Sequence, residues 1–139
     1  MQAQARNYAQ ALAEIQRGRK ESHWMWYVFP QIAGLGMSPT SRRFAIRSRD
    51  EAAAYLAHPV LGPRLATCAE ALLALERGVS AHDVFGWPDD MKLRSSATLF
   101  AQVSPPGSLF AQLLDRYFDG KPDAQTLQLL GERDPGAGG

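Results

Sequence analysis

His23 and Lys92 are the side chains best suited here to moving a proton and meeting an anion. His23 lies in SHWMWYVFPQ, residues 22–31, beside Trp24 and Trp26. An imidazole titrates close to neutral pH, so it can act as a general acid or base. Two indoles beside it would wall a site for a planar ligand. The same residues also suit an interior, with the histidine hydrogen-bonded and the indoles filling volume. No second His, Cys or acid stands near at ligand spacing, so neither a metal nor another cofactor is expected.

Two further stretches carry polar chemistry. In GLGMSPTSRR, Gly34 and Gly36 allow close backbone approach, and Ser38 and Ser41 flank a predicted helix start. Free N–H groups and the helix dipole attract phosphate or carboxylate there, and Arg42, Arg43 and Arg47 would close over it. The pattern is neither a Walker motif nor a dinucleotide fingerprint. In PDDMKLRSSATLF, Asp89, Lys92 and Ser96 project to one side of a helix, with Asp90 and Ser95 beside them. Such a face holds a polar ligand, and Lys92 pairs with Asp89 without one. A plainer account is that the acids favour the helix start and Ser95-Ser96-Ala97 permits a close helix crossing. His58, before Pro59, is expected to satisfy helix-terminal carbonyls, His82 to be solvated, and Cys68 to be inert core.

The elements that must position these groups are helices. Tyr8, Leu12 and Ile15 form one stripe of a helix over 3–17, with Gln, Glu and Arg opposite and Gly18 as its stop. Ser22 is a natural N-cap for a short element that Pro30 ends; its period fits a helix or a strand. Ser48 and Glu51 have capping-box spacing. Leu61, Leu65, Cys68, Leu72 and Leu75 predict a long helix over 60–77, and Ser80 caps a turn through Phe85. Asp89 is the expected N-cap of the next helix. Phe110, Leu113, Leu114, Tyr117 and Phe118 mark another, ending at Asp119-Gly120.

The 139 residues and a formal net charge of +1 bound the function classes. One domain is expected over residues 1–131, with 132–139 a disordered tail by composition. The near-zero charge gives no broad attraction to nucleic acid or an anionic membrane. No stretch nears the ~18 apolar residues of a membrane span. The single cysteine excludes an internal disulfide, and the first twenty residues lack a signal-peptide h-region, so a cytoplasmic protein is expected.

Three blocks resemble a bacterial family known as domain of unknown function 1810: GRKESHWMWYVFPQIAGLGMSPTSRRFAI, EAAAYLAHPVLGPRLATC and VFGWPDDMKLRSSATLFAQV. The resemblance runs over about residues 8–131. Its signature falls on His23, Trp24, Trp26 and Gln31, on Gly34, Leu35, Gly36 and Ser41, and on His58, Pro59 and Gly62. The last block adds Asp90, Lys92, Ser95, Ser96 and Thr98. Ala97 stands where relatives more usually carry Met. The resemblance implies a mostly helical fold and no established activity. Some members bear the name calpastatin; such an inhibitor is a long polar chain that folds on its target, unlike this apolar, capped sequence.

The expectation is an all-α, compact single-domain bundle of about six or seven short helices. Its polar cleft forms where residues 23–26, the 34–41 loop and the 90–96 helix start converge. It binds, and in one version processes, a small anionic, nucleotide-like metabolite. His23 and Lys92 take the catalytic roles. Trp24, Trp26, Gln31, Gly34, Gly36, Ser41, Asp90, Ser95 and Ser96 contact the ligand. The alternative is a non-catalytic protein-interaction module that uses residues 22–31, with the partner unspecified.

Overall fold

Apolar residues at three- and four-residue spacing become helices at nearly every place where the sequence predicts one. The computed structural model describes residues 2–22, 24–35 and 45–133, with side chains except at 2–7, 26, 27 and 133. Its helices are α1 (Gln2–Gln16), α2 (Met25–Val28), α3 (Arg49–Ala57), α4 (Leu61–Leu73), α5 (Ala81–Phe85), α6 (Asp89–Ala101), α7 (Leu109–Phe118) and α8 (Ala124–Arg133). The fold is all-α. Among the described residues the only β pairing is an isolated parallel bridge between Ile32 and Ile46. The expected Ser38-Pro39 helix start and the tail residues 134–139 lie outside the described residues.

α4 and α6 form the middle. α4 packs against α1, α2, α3 and α7, while α6 packs against α3, α5, α7 and α8. Leu65, Cys68 and Leu72 give α4 its buried ladder. In α6, six consecutive residues, Ser95 to Phe100, are buried, as befits a helix enclosed on all sides. Two of its hydroxyls turn back on the helix: Ser95 Oγ donates to the Met91 carbonyl (3.2 Å) and Thr98 Oγ1 to that of Arg94 (2.8 Å). Between α2, the following turn and α5, Trp24, Phe29 and Phe85 pack as a trio with ring centroids 6.1–6.4 Å apart.

Several local expectations change on packing. α4 stops at Leu73 rather than near residue 77. There α7 docks: the Tyr117 hydroxyl donates to the Leu72 carbonyl, and the Arg116 guanidinium to those of Glu76 and Val79. The Tyr117 side chain thus takes the Leu72 carbonyl, which a longer α4 would have paired with the Glu76 amide. Ser48 caps α3 by accepting from Glu51 N–H (3.1 Å), but the Glu51 carboxylate turns to Arg47 N–H, so the box closes on a different amide. Ser80 and Asp83 do form a full capping box. His58 serves amides instead of carbonyls. Its Nδ1 accepts from Val60 and Leu61 N–H, both at 3.1 Å, and so caps the start of α4. The elbow between α3 and α4 is tight enough to require glycine, since a Cβ on Gly62 would stand 2.0 Å from the Leu56 carbonyl oxygen.

Candidate functional site

Glu14 is the residue that sequence periodicity misplaces. It falls on the polar side of α1, yet only 1% of its surface is exposed. The chain leaving α1 folds back over it. Oε1 accepts from the N–H of Glu21 (2.6 Å), the N–H of Ser22 (3.0 Å) and the Trp24 indole Nε1 (2.8 Å). Oε2 accepts from Ser22 Oγ (2.6 Å). Burial pushes the carboxyl pKa up, but these hydrogen bonds to the Ser22 side chain, Glu21, Trp24 and the Ser22 amide outweigh it and hold it at about 2. Ser22 therefore does not cap α2. It closes the Glu14 clamp, and the position before α2 is Trp24, with no side-chain cap.

The clamp decides what Trp24 can do. The ring is fully buried, packed on Phe29 and Phe85, and its N–H is spent on Glu14. The stacking role expected of Trp24 is corrected on that ground, because a ring sealed in the core has no face left for a ligand. Besides Glu14, Lys20 lies close, its Nζ 5.5 Å from the ring centroid. His23 and the Trp26 side chain, the other aromatic expectations, lie outside the described residues, as do Gly36, Ser41, Arg42 and Arg43.

A cleft of about 280 Å³ opens where three segments meet. Gln31 and Leu35 come from the loop after α2, Pro88, Met91, Lys92 and Ser95 from the start of α6, and Asp123 and Gln125 from the start of α8. Each segment is pinned by its backbone. The loop is tied by the Ile32–Ile46 bridge, in which Ile46 N–H donates to the Gln31 carbonyl and Ala33 N–H to that of Ile46, both at 2.8 Å. The segment before α8 is tied to α6. Arg94 donates to the carbonyls of Lys121 (2.9 Å) and Pro122 (3.0 Å), and Thr98 Oγ1 accepts from Asp123 N–H (2.8 Å). Asp123 then caps α8 by accepting from Thr126 N–H and Oγ1 (2.9 and 2.6 Å).

Charge in the cleft centres on Lys92. Its Nζ lies 3.3 Å from Asp89 Oδ1, while Lys20 Nζ holds Asp89 Oδ2 at 2.8 Å. Asp89 is thus the first residue of α6 and not its N-cap; Pro88 has that place. Pro88 and Met91, the latter 41% exposed, give the cleft an apolar edge; Trp87, 76% exposed, precedes Pro88 in the chain and does not line the cleft.

Of the residues the sequence singled out, the structure brings Gln31, Lys92 and Ser95 to one opening. Gly34 is exposed but does not line it. Asp90 is turned to other work, accepting from Met91 N–H (2.8 Å) and lying 3.6 Å from His82 Nδ1. Ser96 is corrected as a ligand contact: it lies in the core at 1% exposure and does not line the cleft, its hydroxyl unpartnered among the described residues. Asp123, Gln125 and Trp87 were missed. The legible signals were an Asp three residues ahead of Thr126 at the head of a helical pattern, and a tryptophan held between Gly86 and Pro88 in a turn.

A second groove of about 520 Å³ lies between α4 and α7, lined by Leu73, Leu75, Arg77, Gln112, Asp115 and Arg116. Two of the Arg116 guanidinium nitrogens are committed to main-chain carbonyls, and Arg77, Gln112 and Asp115 of the lining are exposed. Among the described residues no cluster of three or more His, Cys, Asp or Glu could hold a metal ion. Nor is any described helix long and apolar enough to cross a membrane.

A family model described as protein of unknown function (DUF1810) matches residues 1–130. The crystal structure of the conserved hypothetical protein Rv1873 from Mycobacterium tuberculosis shares the fold. It is 46% identical, with a TM-score of 0.89 over 93% of this chain and 91% of that one. No curated protein matches the chain.

Proposed function

Since this chain belongs to that family, whose description names no activity, we propose a function from the cleft itself: it binds a small, anion-bearing metabolite. The observation that carries this reading is the meeting of Gln31, Lys92 and Ser95 with Asp123 and Gln125 around one opening. The amides and the ammonium group supply donors to an oxyanion, and the carboxylate, hydroxyl and amide oxygens accept from donors elsewhere on the ligand. At about 280 Å³ the cleft is slightly smaller than the usual small-molecule site, roughly 300–1,000 Å³. It suits a compact metabolite, or the head of a nucleotide-like one whose planar part reaches past the Pro88 and Met91 edge to the exposed Trp87. Processing of the ligand would fall to His23 as acid or base, and binding does not depend on it.

Thermal shift tests the reading. Nucleotides and phosphorylated metabolites are compared with their uncharged parents on the wild type, Lys92→Ala and Gln31→Ala. A ligand at ~100 times its Kd raises Tm by about 5–15 °C. The rise is expected for charged ligands only and falls away in Lys92→Ala. A ligand that stabilises all three proteins equally binds elsewhere and ends the proposal.

The competing reading is an interaction module that uses residues 22–31. In that segment Trp24, Met25, Val28, Phe29 and Pro30 are buried, so they offer a partner no contact surface. What favours a protein partner is instead the exposed pair Trp87 and Met91. Iodide quenching separates the two: fluorescence quenched through Trp87, lost in Trp87→Phe and unaffected by any small ligand, supports the partner.

A further inference from the structure

Beside the cleft, two ammonium groups share one carboxylate. Lys20 Nζ takes Asp89 Oδ2 at 2.8 Å and Lys92 Nζ takes Oδ1 at 3.3 Å, with all three side chains mostly buried. These three groups together carry one net positive charge, and Lys92 is the member that faces the opening. From this geometry we infer that Lys20 is a positioning residue that lets Lys92 leave Asp89 for an incoming oxyanion group, an inference that rests on the anion reading above.

The reason is what happens to Asp89 when an anion arrives. Asp89 Oδ1 must give up Lys92, and a carboxylate stranded at low exposure would oppose that exchange. Lys20 keeps hold of the other oxygen, so Asp89 stays paired while Lys92 turns to the ligand. Without Lys20, the single charge of Asp89 cancels that of Lys92 and binding must break the pair outright. Lys20 is itself held in place. Its N–H donates to the Val84 carbonyl (2.6 Å), its ammonium lies over the Trp24 ring, and Glu14 anchors that ring. The residues from Glu14 through Trp24, Lys20 and Asp89 to Lys92 thus form one line of contacts ending at the cleft.

Inorganic phosphate at constant ionic strength is the probe, followed by amide chemical shifts of residues 91–95. The wild type is expected to show saturable shifts. Lys20→Gln weakens binding at least tenfold, Lys20→Arg restores it to within threefold, and Asp89→Asn tightens it at least threefold by removing the competing carboxylate. Unchanged affinity in Lys20→Gln, or weaker binding in Asp89→Asn, overturns the inference; Asp89→Asn decides the matter should Lys20→Gln fail to fold. If phosphate moves none of these amides in the wild type, the anion reading falls. The sharing of Asp89 is then judged separately by unfolding Lys20→Gln, Lys92→Gln and the double variant. A double loss larger than the two single losses together supports sharing, and simple additivity refutes it.

Discussion

Glu14 and Lys92 stand at opposite ends of one line of contacts and meet opposite surroundings. Around Glu14 the two carboxylate oxygens accept four hydrogen bonds, and the group is closed off from water. Around Lys92 a carboxylate is divided between two cations beside an open cleft. The first arrangement is saturated, so it can only hold the chain in place. The second keeps polar groups facing an opening, so it can exchange a partner. The difference teaches that polar residues near an aromatic cluster do not by themselves mark a site; what marks one is a partner that can be exchanged, combined with access to solvent.

Breaking the clamp has the largest expected effect. Glu14→Ala leaves the Trp24 indole and two amides without their acceptor, and urea denaturation is expected to show a loss of about 3–5 kcal/mol. Lys92→Ala, by contrast, is expected to lose less than ~1 kcal/mol. Equal losses at the two sites would erase the contrast between them.

The acid limb of stability comes next. The folded pKa of Glu14, about 2, lies below its unfolded value of 4.5. Its contribution is therefore complete above pH 4.5 and disappears as pH falls towards 2. The shift corresponds to roughly 3 kcal/mol. Urea midpoints collected from pH 6 down to pH 2.5 should fall for the wild type, and Glu14→Gln should lack that component of the fall.

Ser96 and Ser95, adjacent on α6, sharpen the comparison within a single turn. Ser96→Ala removes a buried hydroxyl with no partner among the described residues, and is expected to stabilise by ~1 kcal/mol with no change in ligand affinity. Ser95→Ala is expected to leave stability nearly unchanged and weaken the ligand. If Ser96→Ala weakens the ligand instead, the cleft reaches deeper than its lining indicates. Smallest in stability is Trp87→Ala, within about 0.5 kcal/mol for so exposed a side chain. Its readout is the thermal shift given by planar anions, which should shrink, while compact anions without a ring keep theirs.

Much of the fold was legible because its causes are local. The Leu65–Cys68–Leu72 ladder, the capping serines at 48 and 80, and the Asp119-Gly120 stop all depend on residues within one or two turns. The site was legible in part. Lys92, Gln31 and Ser95 were identified, and Lys92 does pair with Asp89. Trp24 and Ser96 were assigned to the ligand although both are core, because side-chain type says nothing about which face of a short helix is covered.

What the amino-acid order alone determined, then, is where helices start, which stripes are apolar, and that α6 opens with acids and a lysine. Only the tertiary structure decided that Glu14 is enclosed, that the segment before α8 closes the cleft, and that Lys20 reaches Asp89. Those outcomes rest on hydrogen bonds and ion pairs between residues far apart in the chain, such as Arg94 with the carbonyls of Lys121 and Pro122 or Lys20 with Asp89. Periodicity gives each helix a face. Which faces meet is chosen by packing the whole core at once.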